Sequence, residues 1–205
     1  MLYILDIIGT FVFAISGGLK AAKYKLDLLG FIVLGIATGV GGGLIRDLVL
    51  GDVPPAVFKD ELYLVVCIIG GLVAFFAANH IAPRWREMLI ADGIGLGVFA
   101  AIGAAKASAV GLGPIGIICM AGLTATGGGV IRDILVREVP AVIGRGFYAT
   151  AALAGGLCYV LVEHLEIIEP VHLLITAVFT SGLRLFAAYK KFSLPTAALD
   201  VDSND

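Results

Sequence analysis

The chain has 205 residues, 60% of them hydrophobic and only 15% charged, with a mean hydropathy of +1.03 and a formal net charge of −2. A water-soluble domain carries about a quarter charged residues and just under half apolar ones, so a soluble fold is excluded and an all-α integral membrane protein is expected. No basic patch of the kind that follows a phosphate backbone is present, which removes nucleic acid as a partner.

Taken in chain order, seven apolar stretches come close to the roughly 20 residues that a spanning helix needs. They are 3–19, 28–50, 62–79, 88–105, 114–136, 147–162 and 173–189, joined by short polar connectors at 20–27, 54–61, 83–87, 137–145 and 163–172. Glycine, at 28 residues, suits close packing of membrane helices. The first stretch lacks the basic start of a signal peptide and is expected to stay in the mature protein. Cys67, Cys119 and Cys158 read as small core hydrophobes without metal-like spacing. His80, His164 and His172 lie near the ends of apolar runs and read as membrane-interface residues, so no metal site is expected.

The chain repeats itself. Asp6-Ile-Ile-Gly-Thr-Phe-Val-Phe-Ala returns as Asp92-Gly-Ile-Gly-Leu-Gly-Val-Phe-Ala, an offset of 86. The offset holds without a gap through Lys20/Lys106, Thr38/Thr124 and Pro54/Pro140, and 21 of the 49 aligned pairs from Asp6 to Pro54 are identical. Each copy holds three spans, an odd number, so the second must enter the membrane from the opposite side. The expected organisation is a first three-helix repeat at 1–83, an inverted second at 84–167, a seventh transmembrane helix at 168–192 and a short polar tail at 193–205. Inverted repeats place a transport pathway at their interface.

Basic residues set the orientation. Lys20, Lys23, Lys25, Arg84, Arg86, Arg137, Arg145, Lys190 and Lys191 fall on one side, against Lys59 and Lys106 on the other, with Arg46 near that end of its span. The positive-inside rule makes the first side cytoplasmic, with the N-terminus outside and the C-terminus inside.

Gly41-Gly42-Gly43-Leu-Ile-Arg46-Asp47 in the second span matches Gly127-Gly128-Gly129-Val-Ile-Arg132-Asp133 in the fifth. Three successive glycines cost about 1 kcal/mol each relative to alanine inside a helix, so a kink or break is expected there, tolerable only against protein or a water-filled cavity. The plainer role is to let two helices approach closely. Charges inside a span face a cavity or a partner. Asp6 and Arg46 fall at similar depth, roughly 5–7 Å in from the outer ends of their spans, and Asp92 and Arg132 mirror them on the cytoplasmic side. Two ion pairs are therefore expected, and an exchange of Asp6 with Arg46 should be tolerated better than loss of either. Lys20 and Lys106, at span ends, read as snorkelling residues. Arg184, inside the seventh span, suits the pathway and the cytoplasmic interface equally. Pro54 and Pro140 read as helix terminators.

At these residues the sequence resembles the trimeric intracellular cation (TRIC) channels, prokaryotic branch, over nearly its whole length. The resemblance implies a homotrimer with a pore in each protomer that passes monovalent cations, chiefly potassium. Its second and fifth helices would kink at the triplets and line the pore, with the neighbouring basic residues contributing to gating. Carried onto this chain, that implicates Gly41, Gly42, Gly43 and Arg46 with Gly127, Gly128, Gly129 and Arg132. We add Asp47, Asp133, Thr38 and Thr124, with Asp6 and Asp92 as charge partners. Membrane lipids and permeant cations are the small partners implied, and no cofactor is expected. Animal members also bind an inositol lipid through a basic residue, but no lysine directly follows either triplet here.

Bacterial sequences of this type are also described as glycine-transporter-like. A secondary transporter of a small zwitterion such as glycine is accordingly the alternative, since an arginine beside exposed amides suits a carboxylate. No Ser/His pair, His-Glu-x-x-His, phosphate loop or dinucleotide pattern appears, so no enzyme is expected.

Overall fold

The computed structural model describes residues 1–78, 85–144, 147–165 and 167–192. Asn79, His80, the 83/84 boundary, Arg84, Arg145 and the tail 193–205 lie outside the described residues. The described residues form nine helices: α1 (Leu2–Lys23), α2 (Leu28–Leu50), α3 (Ala56–Lys59), α4 (Leu62–Ala78), α5 (Trp85–Ala109), α6 (Pro114–Leu135), α7 (Ala141–Gly144), α8 (Ala149–Glu163) and α9 (Glu169–Tyr189).

Of these, α1, α2, α5, α6 and α9 are long and apolar enough to cross a membrane. The other two expected spans, α4 and α8, have 17 and 15 residues, which at about 1.5 Å per residue falls short of a hydrocarbon layer of about 30 Å. Chain chemistry sets several ends. Asp27 caps α2 by accepting from the Gly30 N–H at 2.8 Å, and Pro114 opens α6, where a missing N–H costs nothing. Gly51, at φ 75°, ends α2 in the left-handed conformation, and its repeat counterpart Arg137 takes the same turn at φ 58° without being glycine.

α1, α2 and α4 pack on one another, and α5, α6 and α8 do the same. The halves join through α2 against α6 and α1 against α5, while α9 lies against α5 and α8. Equivalent residues of the two copies meet at the join. Phe13 and its counterpart Phe99 stack with ring centroids 5.1 Å apart. Many large apolar side chains, among them Leu29, Phe76, Ile115 and Val178, point outward, as a lipid-facing surface requires.

The structure corrects several expectations. Both glycine-bearing helices run unbroken through their triplets, because most of those glycines serve close approach instead. A methyl group on Gly42 would overlap the Thr124 carbonyl oxygen, and one on Gly128 the Thr38 carbonyl oxygen. One on Gly41 would stand 3.2 Å from Gly128 Cα, and one on Gly127 3.2 Å from Gly42 Cα. Gly43 is free of the crossing: its added methyl would meet only the Arg46 guanidinium, at 3.5 Å or more.

The first, fourth and seventh spans also extend beyond the expected limits. Lys20, Lys23, Lys106 and His172 are helical residues, since a charge with an inward partner does not end a helix. The sixth begins two residues later and the fifth ends one earlier than expected. His172 is buried rather than interfacial: its Nε2 lies 2.8 Å from the Tyr159 carbonyl oxygen and its ring stacks on that of Tyr159. Among the cysteines only Cys67 is core, whereas Cys119 is exposed on the apolar surface.

Gly42→Ala and Gly128→Ala should each destabilise the bundle by about 1–3 kcal/mol through overpacking. Gly43→Ala should be neutral or stabilising, because alanine is the better helix former. Thermal unfolding of the purified protein in detergent checks the ranking.

Candidate functional site

Two buried ionic clusters lie on either side of the α2–α6 crossing. In the first, Arg46 is 1% exposed. Its Nη2 lies 3.2 Å from Asp6 Oδ2, and its Nε donates to Asp47 Oδ1 at 2.8 Å. Tyr63, from α4, donates its hydroxyl to Asp6 Oδ2 at 3.2 Å. Asp47 holds more than its neighbouring arginine. Its Oδ2 accepts the Ala56 N–H at 3.0 Å, fixing the start of α3, and its Oδ1 accepts Lys106 Nζ at 3.0 Å. Lys106 also lies 3.6 Å from Asp52 Oδ2, which pairs with Lys59 at 2.6 Å.

The second cluster repeats this plan. Arg132 Nη1 donates to Asp92 Oδ1 at 2.5 Å and Nε to Asp133 Oδ1 at 3.0 Å. Asp133 Oδ2 accepts the Ala141 N–H at 3.1 Å, fixing the start of α7. Lys20 Nζ lies 3.1 Å from Asp133 Oδ1 and 2.6 Å from Glu138 Oε2. Glu138 also pairs with Lys23 Nζ at 2.5 Å and accepts the Tyr24 hydroxyl. Lys106 and Lys20 thus each belong to one repeat and bind Asp47 or Asp133 of the other. Ser16 adds a contact with no counterpart, accepting from Arg132 Nη1 at 2.9 Å.

Glu138 and Tyr24 lie outside the helices. Burial would raise the Glu138 carboxyl, but hydrogen bonds from Lys20, Lys23 and Tyr24 outweigh it and hold the group at about 2. The hydrogen bond to Glu138, then burial, pushes the Tyr24 phenol up to about 12.

The expected site residues therefore divide. Asp6, Arg46 and Asp47 come together, as do Asp92, Arg132 and Asp133. Gly43 and Gly129 face Arg46 and Arg132, with an added methyl 3.5 and 3.6 Å from the respective Nη2 atoms. Gly41, Gly42, Gly127, Gly128, Thr38 and Thr124 form the crossing between the clusters, where the backbones touch. Thr38 donates its hydroxyl to the Leu34 carbonyl at 2.6 Å, and the buried Thr124 hydroxyl has no hydrogen-bond partner among the described residues. A small cavity beside the first cluster is lined by Asp6, Thr10, Gly43, Arg46, Asp47 and Tyr63 among others, with room for about one water molecule. Arg46 is one of its lining residues, and the buried Nη1 of Arg46 has no hydrogen-bond partner among the described residues.

Two readings change. Lys20 does not snorkel: it is 2% exposed and bound inward. Exchange of Asp6 with Arg46 loses its rationale, because an aspartate at position 46 would stand beside Asp47. Sequence reasoning missed Tyr63, Tyr148, Asp52 and Glu138. The signal for the acids was their place in the repeat, five residues after Asp47 and Asp133. The tyrosines stand 85 residues apart rather than 86, so a gapless comparison misses them.

Removing one partner from a buried ionic cluster costs about 3–5 kcal/mol, so Lys20→Met should cost about 3 kcal/mol. Lys106, 28% exposed in its side chain, should cost under about 1 kcal/mol as Lys106→Met. Denaturation in detergent measures both. The Glu138 tie should be complete above the ordinary glutamate pKa of about 4.3 and be lost as pH falls from there through about 2. Melting temperature against pH should show that acid loss, reduced in Glu138→Gln.

A family model described as glycine transporter matches residues 3–79 and again 89–164, the second match starting 86 residues after the first. The inner membrane protein YadS of Escherichia coli K12 is 38% identical over 207 residues, covering 98% of each chain. Among solved structures, the TRIC trimeric intracellular cation channel orthologue from Rhodobacter sphaeroides is 37% identical with a TM-score of 0.84, covering 89% of this chain and 94% of that one. A prokaryotic TRIC channel crystallised in 0.5 M KCl is 36% identical with a TM-score of 0.88, covering 94% and 98%. This is a multi-pass integral membrane protein, and the chain belongs to the glycine-transporter family and, with it, to the prokaryotic TRIC branch that these structures represent.

Proposed function

We propose that the protein is a potassium-permeable channel for monovalent cations, with a pore in each protomer of a homotrimer. The pathway runs along α2 and α6, with the Arg46 and Arg132 clusters as its two mouths and the glycine crossing as its waist. In this reading α4 and α8 complete seven spans, with the N-terminus outside and the C-terminus cytoplasmic. The observation that carries it is the pair of symmetry-related ionic clusters buried on either side of the crossing. Likeness to solved TRIC cation channels adds to it.

Arginines in a cation pathway oppose its charge preference unless they are neutralised. Here Asp6 and Asp47 enclose Arg46, and Asp92 and Asp133 enclose Arg132. Each mouth is thereby kept from acting as a bare positive barrier, and carbonyl and carboxylate oxygens remain to favour cations. Because the backbones touch at the waist, conduction requires α2 and α6 to part there.

Single-channel recording of the purified protein in planar bilayers under a potassium chloride gradient tests the reading. Unitary currents should reverse near the potassium potential and be altered in the Arg46→Ala/Arg132→Ala double variant. Absence of unitary current, with saturable uptake of labelled glycine into liposomes, would replace the channel with the transporter.

A further inference from the structure

The two ionic clusters balance charge for charge. Arg46 and Lys106 face Asp6 and Asp47 in one, and Arg132 and Lys20 face Asp92 and Asp133 in the other. Their outlying pairs, Lys59 with Asp52 and Lys23 with Glu138, balance as well. α9 lies outside the repeat and breaks this balance. Its Arg184 is 8% exposed, and among the described residues its buried Nε has no hydrogen-bond partner and it forms no salt bridge.

Arg184 rests on an aromatic face. Its guanidinium carbon lies 4.9 Å from the ring centroid of Tyr148, a cation–π contact. Tyr148 in turn reaches the second cluster, because a methyl group added to Gly129 would stand 2.7 Å from the Tyr148 hydroxyl and 3.6 Å from Arg132 Nη2. On the other side, Arg184 packs against α5 at Gly93, beside Asp92. The equivalent tyrosine of the first half, Tyr63, packs edge-on against Tyr3 and meets no third cation among the described residues. Among the described residues the Arg132 end therefore holds one buried cation, Arg184, without a carboxylate at salt-bridge distance and without a counterpart at the Arg46 end.

We propose that Arg184, held on Tyr148, makes conduction asymmetric by raising the barrier for cations entering from the Arg132 side. The inference rests on the channel reading above. A fixed charge at one end of a low-dielectric pathway acts on the ions entering there far more than on those entering at the opposite end.

Single-channel currents of the full-length protein in symmetric potassium chloride at equal and opposite voltages provide the test. The wild type should pass about twofold less current in one direction than in the other. Arg184→Gln should bring the ratio close to unity, and Arg184→Lys should keep it. Equal currents in the wild type, or a ratio unchanged in Arg184→Gln, would overturn the assignment. No unitary current in the wild type would instead remove the channel reading, and this inference with it. Stability gives an independent readout. A buried charge without a carboxylate partner should be dispensable, so Arg184→Met should melt no lower than the wild type, whereas Arg132→Met should melt clearly lower. Equal losses in the two would place Arg184 in the ionic framework and overturn its separate role.

Discussion

A guanidinium buried among apolar helices has to find carboxylates at its own depth, and the positions of those carboxylates govern how this bundle is assembled. Arg46 lies on α2, Asp6 on α1 and Tyr63 on α4, so one charged group fixes the mutual rotation of three helices. Asp47 adds the start of α3 through the Ala56 N–H and the other repeat through Lys106. Buried between helices, such a charge has few other partners, so a helix turned by one position would strand it at a cost of several kcal/mol. The same arrangement recurs around Arg132, and the constraint acts twice.

The glycines work with this ionic framework. Hydrophobic burial gives little drive for helix association where lipid is as apolar as the partner helix, so packing and polar contacts must hold the halves together. Gly42 and Gly128 let the backbones touch, each against the carbonyl of the other helix's threonine. The crossing in turn brings Lys20 and Lys106 within reach of the opposite repeat's aspartate. Close approach and interlocked charges therefore support one another, and neither is a property of one repeat alone.

Symmetry is broken where the repeat ends. α9 lies against the second half, seating Arg184 and His172 in the interior and bringing a cation against Tyr148 where, among the described residues, the first half sets Tyr3 against Tyr63. The first half keeps a small cavity beside Arg46, whose Nη1 has no hydrogen-bond partner among the described residues, while the Nη1 of Arg132 is engaged by Asp92 and Ser16. Two nearly neutral clusters of common origin thus differ in the space beside their arginines and in the presence of a third buried cation.

Composition alone determined the membrane class, because too few charges exist to clothe a soluble surface. The gapless offset of 86 determined the duplication, and comparison of depths brought Asp6 to Arg46 and Asp92 to Arg132. These features depend on counting and on axial position, which a sequence encodes directly. The tertiary structure decided what depends on azimuth. Such helices are apolar nearly all round, so their pattern does not say which face meets which neighbour. Whether the triplets break or pack, whether Lys20 reaches outward to headgroups or inward to Asp133, and which tyrosine closes each cluster were all settled by the approach of a second helix that no local window of sequence contains.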